Sequence, residues 1–356
     1  MVSSSYRFSA DFIRALAIFL VIVVHVSADY LSKVTVFSSF MWWLVISAET
    51  ISKIAVPLFI MLSGQLILDT NKNYTLDYFY KKRLSKIGIP ILFWPFFYYF
   101  GFLLLKRVPF QLVAFLNSYL FLNTFYHLYF LFIIFGLYLF APFIKTLIKH
   151  TPKTEIHFLT ITILLLASLM TPLVYFLPTK ITYWSIFTVS IPFMGYFIAG
   201  HILGEKKLSQ LDKKKATILF LISSVLLVLA KYFAFENHFV LLQKYLEDVL
   251  NIGTIVASLS AFTLLNNFAS SYSVKISERV KKFILSLSAT SFGIYIIHPL
   301  FIFAYSLVQG AGTLPEIIGP NSILGMSVKI LVVLSLSFIV VIVAQKSRFT
   351  KIFFGS

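Results

Sequence analysis

An arginine and a histidine eleven residues apart give the strongest chemical signal in the chain. Arg14 and His25 lie in one apolar stretch, and eleven helical steps of about 100° come within about 20° of three full turns. Both side chains then leave one face of a helix, about 16 Å apart along its axis. The histidine is a candidate general base or transient acyl carrier, and the arginine suits a polar ligand. A hydrogen-bonded core histidine and an arginine that reaches towards water fit the spacing equally well.

Further ionisable residues stand inside apolar stretches, where each charge costs roughly 2.5–3.5 kcal/mol on membrane insertion. Glu49 and Lys53 are spaced i, i+4, and an ion pair that fixes helix packing explains them as well as a functional role does. His127 and His298 fall at a depth similar to that of His25. We therefore predict that these five residues, which come from four helices, converge.

A second group of charges is predicted near the other membrane surface. Arg14 has Asp11 beside it, and Arg83 and Lys86 are spaced i, i+3 where the third apolar stretch begins. The three basic residues suit an anionic, phosphate-bearing ligand, although Arg83 and Lys86 fit equally a basic cluster that only orients the chain. We expect no metal site, because the chain has no Cys and its seven His are scattered.

The composition indicates what must position these residues. Of the 356 residues, 59% are hydrophobic and only 12% are charged, about half the roughly 25% of an ordinary soluble domain. We therefore predict an all-α polytopic membrane protein, with about ten spans of some 20 apolar residues each. The predicted spans are 9–30, 41–67, 85–105, 124–148, 156–177, 183–204, 215–235, 248–269, 283–308 and 322–345.

Basic residues predict the orientation of these spans. Alternate connections, together with both termini, carry 21 of the 30 Lys and Arg residues, and the connections on the opposite side carry six. Since basic residues concentrate in cytoplasmic loops, both termini are expected in the cytoplasm. This distribution accounts for the net charge of +17, so no nucleic-acid partner is expected. We predict a single membrane-embedded domain over residues 1–356 with no separate soluble domain, and no pattern indicates an oligomeric state.

Seven short sequence blocks occur along the chain in the order that is typical of one protein family. The first is Asp11-Phe-Ile-Arg14 with His25, and the other six are 56–64, 82–90, 126–131, 136–142, 195–200 and 293–299. Together they resemble the type-3 membrane acyltransferases, specifically the branch that O-acylates surface polysaccharides, in which the first block is an Arg-x10-His signature. Two positions depart from the family pattern, because Lys86 and Tyr129 stand where Arg and Trp are usual. The lysine keeps the charge but loses the bidentate fork of arginine.

The resemblance implies a reaction and a role for each candidate residue. An acyl group, most often acetyl, would pass from cytoplasmic acyl-CoA to a hydroxyl of a cell-surface glycan or its lipid-linked precursor, in the bacterial plasma membrane. Acetyl-CoA or another acyl-CoA would be the co-substrate, with its phosphates on Arg14, Arg83 and Lys86 and its thioester near His25. The residues expected to orient these groups or to bind the acceptor are Asp11, Glu49, Lys53, His127 and His298.

Two other functional classes fit parts of the same pattern. A transporter or flippase for a lipid-linked sugar or an organic anion also needs buried charges and broken helices. The chain lacks the paired halves that many transporters show, which favours an enzyme over a transporter. An inactive scaffold in a polysaccharide-synthesis complex is the third possibility, and the intact pair of Arg14 and His25 argues against it.

Overall fold

The computed structural model of the chain confirms the all-α prediction. The structure describes residues 4–34, 36–71, 74–176, 185–205, 208–272, 276–311, 315, 319 and 322–355. Every regular element in this part of the chain is helical. The α-helices are α1 (Ser4–Leu31), α2 (Phe40–Ser52), α3 (Ala55–Ile67), α4 (Leu76–Lys106), α5 (Leu112–Leu120), α6 (Tyr129–His150), α7 (Lys153–Phe176), α8 (Met194–Glu205), α9 (Gln210–Glu236), α10 (Val240–Glu247), α11 (Ile252–Tyr272), α12 (Glu278–Gly310) and α13 (Ile323–Lys346).

Nine segments among the described residues are long and apolar enough to cross a membrane, which supports a polytopic membrane protein. They correspond to α1, the pair α2 and α3, α4, α6, α7, α9, the pair α10 and α11, α12 and α13. The predicted span 183–204 begins outside the described residues. Its described part holds a short 3₁₀ helix, Ile191–Phe193, and α8, whose 12 residues reach about 18 Å. The cytoplasmic placement of both termini stays a prediction.

The chain folds into two compact units. The first comprises Met1–Phe59 and Lys206–Val343, and the second comprises Ile60–Glu205 and Ala344–Ser356. In the first unit, α1 packs against α2, α11 and α12, and α9 packs against α2, α10 and α11. In the second unit, α4 packs against α6 and against a C-terminal 3₁₀ helix, Lys351–Phe354, while α7 packs against α8. The helix α1 thus packs against its neighbour in sequence, α2, and against two helices far from it in sequence, α11 and α12.

Two predicted spans are broken helices. The span 41–67 divides into α2 and α3 at Lys53 and Ile54. Pro57 explains the break, because a proline ring collides with the carbonyl four residues earlier, which is that of Lys53. The span 248–269 begins with a similar break between α10 and α11. There the Asn251 side chain accepts a hydrogen bond from the backbone N–H of Thr254 at 2.8 Å and so caps α11.

The close approach of α3 and α8 in the second unit depends on glycine. A Cβ atom at Gly64 would lie 1.8 Å from the carbonyl oxygen of Phe197, and one at Gly200 would lie 1.9 Å from that of Met61. Both obstacles are backbone atoms that cannot rotate away. Small residues that let two helix backbones meet are a common device in membrane proteins.

Candidate active site

Arg14 and His25 occupy one continuous helix. Because α1 runs without a break from Ser4 to Leu31, the two side chains leave nearly the same face, about 16 Å apart along the axis. Both are only partly buried, whereas adjacent residues on α1, such as Ile13 and Val26, are fully buried. Three polar networks lie along this helix, at its Arg14 end, around His25 and at its far end near Asp29.

Two histidines from α1 and α12 stack on each other. The rings of His25 and His298 have centroids 5.1 Å apart and planes inclined by 28°. His298 has no exposed surface, whereas His25 keeps some accessible surface. His25 is therefore the member of the pair that a substrate can reach, and His298 supports its ring from behind. The predicted meeting of these two residues is present in the first unit.

A proline determines which nitrogen of His298 carries the proton. Pro299 has no backbone N–H, so the Tyr295 carbonyl four residues earlier lacks its usual helical donor. The Nδ1 atom of His298 lies 2.7 Å from that carbonyl oxygen. Since a carbonyl only accepts hydrogen bonds, Nδ1 carries the proton, and in the neutral ring Nε2 holds the lone pair.

A buried carboxylate shared by two lysines lies close to His25. The Glu49 carboxylate accepts from Lys53 Nζ at 2.7 Å and forms a second ion pair with Lys231 of α9. All three side chains are buried, and Lys231 is 1% exposed. Lys53 Nζ also donates to the Glu247 carbonyl at 2.7 Å, which joins the breaks in the two broken helices. Glu49 lies near the end of α2 and Lys53 directly follows that helix, which packs against α1, and the charges of both residues act on His25 with opposite sign.

Arg14 is held in place by residues of two helices. Its guanidinium donates to Asp11 Oδ1 at 3.1 Å and to Ser288 Oγ of α12 at 3.0 Å. Ser288 in turn donates to Asp11 Oδ1 at 2.6 Å, which closes a three-membered network. About 31% of the Arg14 side chain is exposed, so the guanidinium keeps donors for a ligand.

The third network was not predicted from the sequence. Asp29 on α1 accepts from Lys33 at 2.7 Å and from Lys329 of α13 at 2.8 Å. Lys329 has no exposed surface and also donates to Ser306 Oγ at 2.6 Å. Lys231 is one of the six basic residues predicted to lie in the connections opposite the termini, but it is buried within α9. Each of these two lysines stands alone in an apolar run, which is the signal that could have identified both.

The remaining predicted site residues belong to the second unit. His127 is buried, and its ring contacts Tyr98 and Phe125 edge-on at 5.2 and 5.4 Å. Arg83 and Lys86 lie on α4, the first half-buried and the second exposed. The convergence of these three residues, His127, Arg83 and Lys86, with Arg14 and His25 stays a prediction. In the part of the chain that the structure describes, no three Asp, Glu or His side chains are grouped closely enough to hold a metal ion.

The fold and the site define a class of protein, an all-helical membrane protein that holds a stacked pair of histidines and a fixed arginine. The family model described as an acyltransferase domain matches residues 7–345, nearly the whole chain. The chain therefore belongs to the type-3 membrane acyltransferase family and is a membrane acyltransferase. Comparison with curated proteins and with solved structures gave no match.

Proposed function

We propose that this membrane acyltransferase moves an acetyl group from acetyl-CoA to a hydroxyl of a cell-surface polysaccharide or its lipid-linked precursor, in a bacterial plasma membrane. The observation that carries the proposal is that His25, which stacks on His298 of α12, shares one face of α1 with Arg14. An acyl transfer needs a base beside the acceptor hydroxyl and a cationic site for the phosphates of the donor. The two residues supply both at a fixed separation.

The donor is proposed to enter from the Arg14 end of α1. The loop charges predict that this end faces the cytoplasm, where acyl-CoA is made. Arg14 binds a phosphate group of CoA through the donors that Asp11 and Ser288 leave available, and these two residues fix its orientation. Arg83 and Lys86 of the second unit are proposed as further phosphate ligands. The thioester then extends along the face of α1 towards His25.

The reaction is proposed to use His25 as the general base. The His25 ring takes the proton from the attacking hydroxyl, whose oxygen adds to the thioester carbonyl carbon. The tetrahedral intermediate collapses when the carbon–sulfur bond breaks, and the leaving thiolate of CoA takes the proton from His25. The charge of Glu49 favours the protonated ring against the opposite effect of Lys53, and His298 keeps the ring in place. The other possible role of His25, as a transient carrier of the acyl group, involves the same nitrogen lone pair.

The first experiment uses purified protein in liposomes with acetyl-CoA labelled in the acetyl group. We expect wild-type protein to consume the thioester and His25→Ala to lose about 10²- to 10⁴-fold in rate, which is the usual contribution of a positioned base. His157→Ala is the matched control, because His157 is an exposed histidine on α7. Release of CoA and transfer of label to added glycans are followed together.

The two outcomes separate an enzyme from a transporter. Loss of thioester at the wild-type rate in His25→Ala would show that the role of His25 is wrong. A folded wild-type sample that neither binds CoA nor consumes the thioester would contradict the enzyme, and flux of a lipid-linked sugar would then be measured. Broken helices such as α2 and α3 are the feature that a transporter would share.

A further inference from the structure

The network at the far end of α1 continues the seam that holds the two histidines. Asp29 follows His25 by four residues, so it lies about 6 Å further along the axis and about 40° around it. On α12, Tyr305 follows His298 by seven residues and returns to nearly the same face. Both helices thus present polar groups one to two turns beyond the histidine pair, on the side away from Arg14.

One residue of this network is buried inside the protein, and two others are partly accessible at the protein surface. Lys329 has no exposed side-chain surface, whereas Asp29 and Lys33 expose 23% and 32% of theirs. Lys329 Nζ lies 5.3 Å from the centre of the Tyr305 ring. The buried lysine therefore fixes the carboxylate and the aromatic ring, while the outer part of Asp29 and Lys33 can meet a ligand.

Tyr305 carries a polar atom that the described part of the protein does not use. Its hydroxyl is buried and makes no hydrogen bond with any residue that the structure describes. A buried hydroxyl without a partner disfavours folding, so its presence needs an explanation. A ligand that hydrogen-bonds to the hydroxyl in the working enzyme supplies one.

We propose that Asp29, Lys33, Lys329 and Tyr305 form the subsite that binds the sugar ring of the acyl acceptor. The inference rests on the proposed function, because an acceptor must lie beside His25 for its hydroxyl to be deprotonated. A sugar presents neighbouring hydroxyls that both donate and accept. The Asp29 carboxylate accepts from them, and the Lys33 ammonium and the Tyr305 hydroxyl donate to them. The Tyr305 ring adds an apolar surface for the C–H groups of the sugar.

The variant Tyr305→Phe tests the subsite because it removes only the oxygen that has no described partner. A purely structural tyrosine predicts unchanged or greater stability and unchanged kinetics. The subsite predicts that KM for the acceptor rises about 3- to 10-fold, the loss of one hydrogen bond, while KM for acetyl-CoA is unchanged. The acceptor probes are octyl glycosides of glucose, galactose and N-acetylglucosamine, in liposomes of phosphatidylethanolamine and phosphatidylglycerol. Ser337→Ala is the matched control, since it removes another buried hydroxyl that bonds to no described residue.

A second variant tests the subsite even if Tyr305→Phe fails to fold. Lys33→Met changes the accessible edge and leaves the ion pair of Asp29 with Lys329 intact, so it gives the same expected rise in acceptor KM. Unchanged acceptor KM in both variants would overturn the subsite, and so would label that reaches phosphatidylglycerol but no octyl glycoside. Wild-type protein that consumes no thioester would instead overturn the proposed function, and the subsite with it.

Discussion

Replacing Glu49 by glutamine removes the negative charge between two buried lysines while keeping the size of the side chain. In the wild type, Glu49 pairs with Lys53 at 2.7 Å and with Lys231, and all three residues are less than 9% exposed. The variant leaves two buried ammonium groups facing a neutral amide. Breaking a buried pair in this way costs about 3–5 kcal/mol of the free energy of unfolding.

Lys231→Met is the matched control at the same site. It removes one positive charge but leaves Glu49 neutralised by Lys53, so the change in the free energy of unfolding should be close to zero. In the double variant of Glu49→Gln with Lys231→Met, only Lys53 remains charged, and it still donates to the Glu247 carbonyl. The double variant should therefore be more stable than Glu49→Gln alone, which gives a coupling energy of about 0.5–3 kcal/mol.

The assay is equilibrium unfolding in bicelles, followed by tryptophan fluorescence. Trp42 is a suitable probe, because it is buried on α2, the helix that carries Glu49. Two results would refute the reasoning. One is a Glu49→Gln variant as stable as the wild type, and the other is a Lys231→Met variant that loses as much stability as Glu49→Gln. The first result would mean that the three side chains are solvated rather than buried together, and the second would mean that Lys53 alone does not neutralise the Glu49 carboxylate.

Two further predictions test the donor site and the packing of the second unit. Ser288→Ala removes one of the two partners of Arg14, so KM for acetyl-CoA should rise about tenfold at unchanged kcat. Initial rates measure both constants, and a fall in kcat alone would contradict a role of Ser288 in donor binding. Gly200→Ala places a methyl group against a backbone carbonyl and should cost about 1–3 kcal/mol, measured as folded yield by fluorescence-detected size exclusion. Gly101→Ala is its control, because nothing lies within 4 Å of the added carbon, and equal yields of the two variants would refute the packing argument.

The local part of the site could be predicted from the sequence, since it depends only on helix geometry. The alignment of Arg14 with His25 and the pairing of Glu49 with Lys53 both follow from the spacing of residues on one helix. The similar depth of His25 and His298 in the membrane allowed the prediction that they converge, but not the stacking of their rings. Depth is set by the distance of each residue from the end of its span, which the apolar runs reveal.

The distant partners could not be predicted, because they depend on which helices pack together. Ser288, Lys231 and Lys329 each complete a network on a helix far away in the chain. Hydrophobic periodicity gives the existence of a span but not its neighbours. The break in the second span was missed for another reason, since Pro57 was visible but the apolar run continued across it.

The three networks share a construction that has a consequence for biosynthesis. Each combines an ion pair within one turn of a helix with a third partner from far along the chain. The local pairs are Asp11–Arg14, Glu49–Lys53 and Asp29–Lys33, and the late partners are Ser288, Lys231 and Lys329. The local pair neutralises its own charges when the first spans leave the ribosome, which lowers the cost of entering the lipid.

The late partner of each network is synthesised long after the local ion pair. Lys329 lies 300 residues beyond Asp29, which corresponds to about 15–60 s of synthesis at roughly 5–20 residues per second. During that interval, α1 waits in the membrane with the carboxylate of Asp29 incompletely paired, and it gains its third partner only when α13 has entered. A nascent chain that stops before Lys329 would leave Asp29 paired with Lys33 alone.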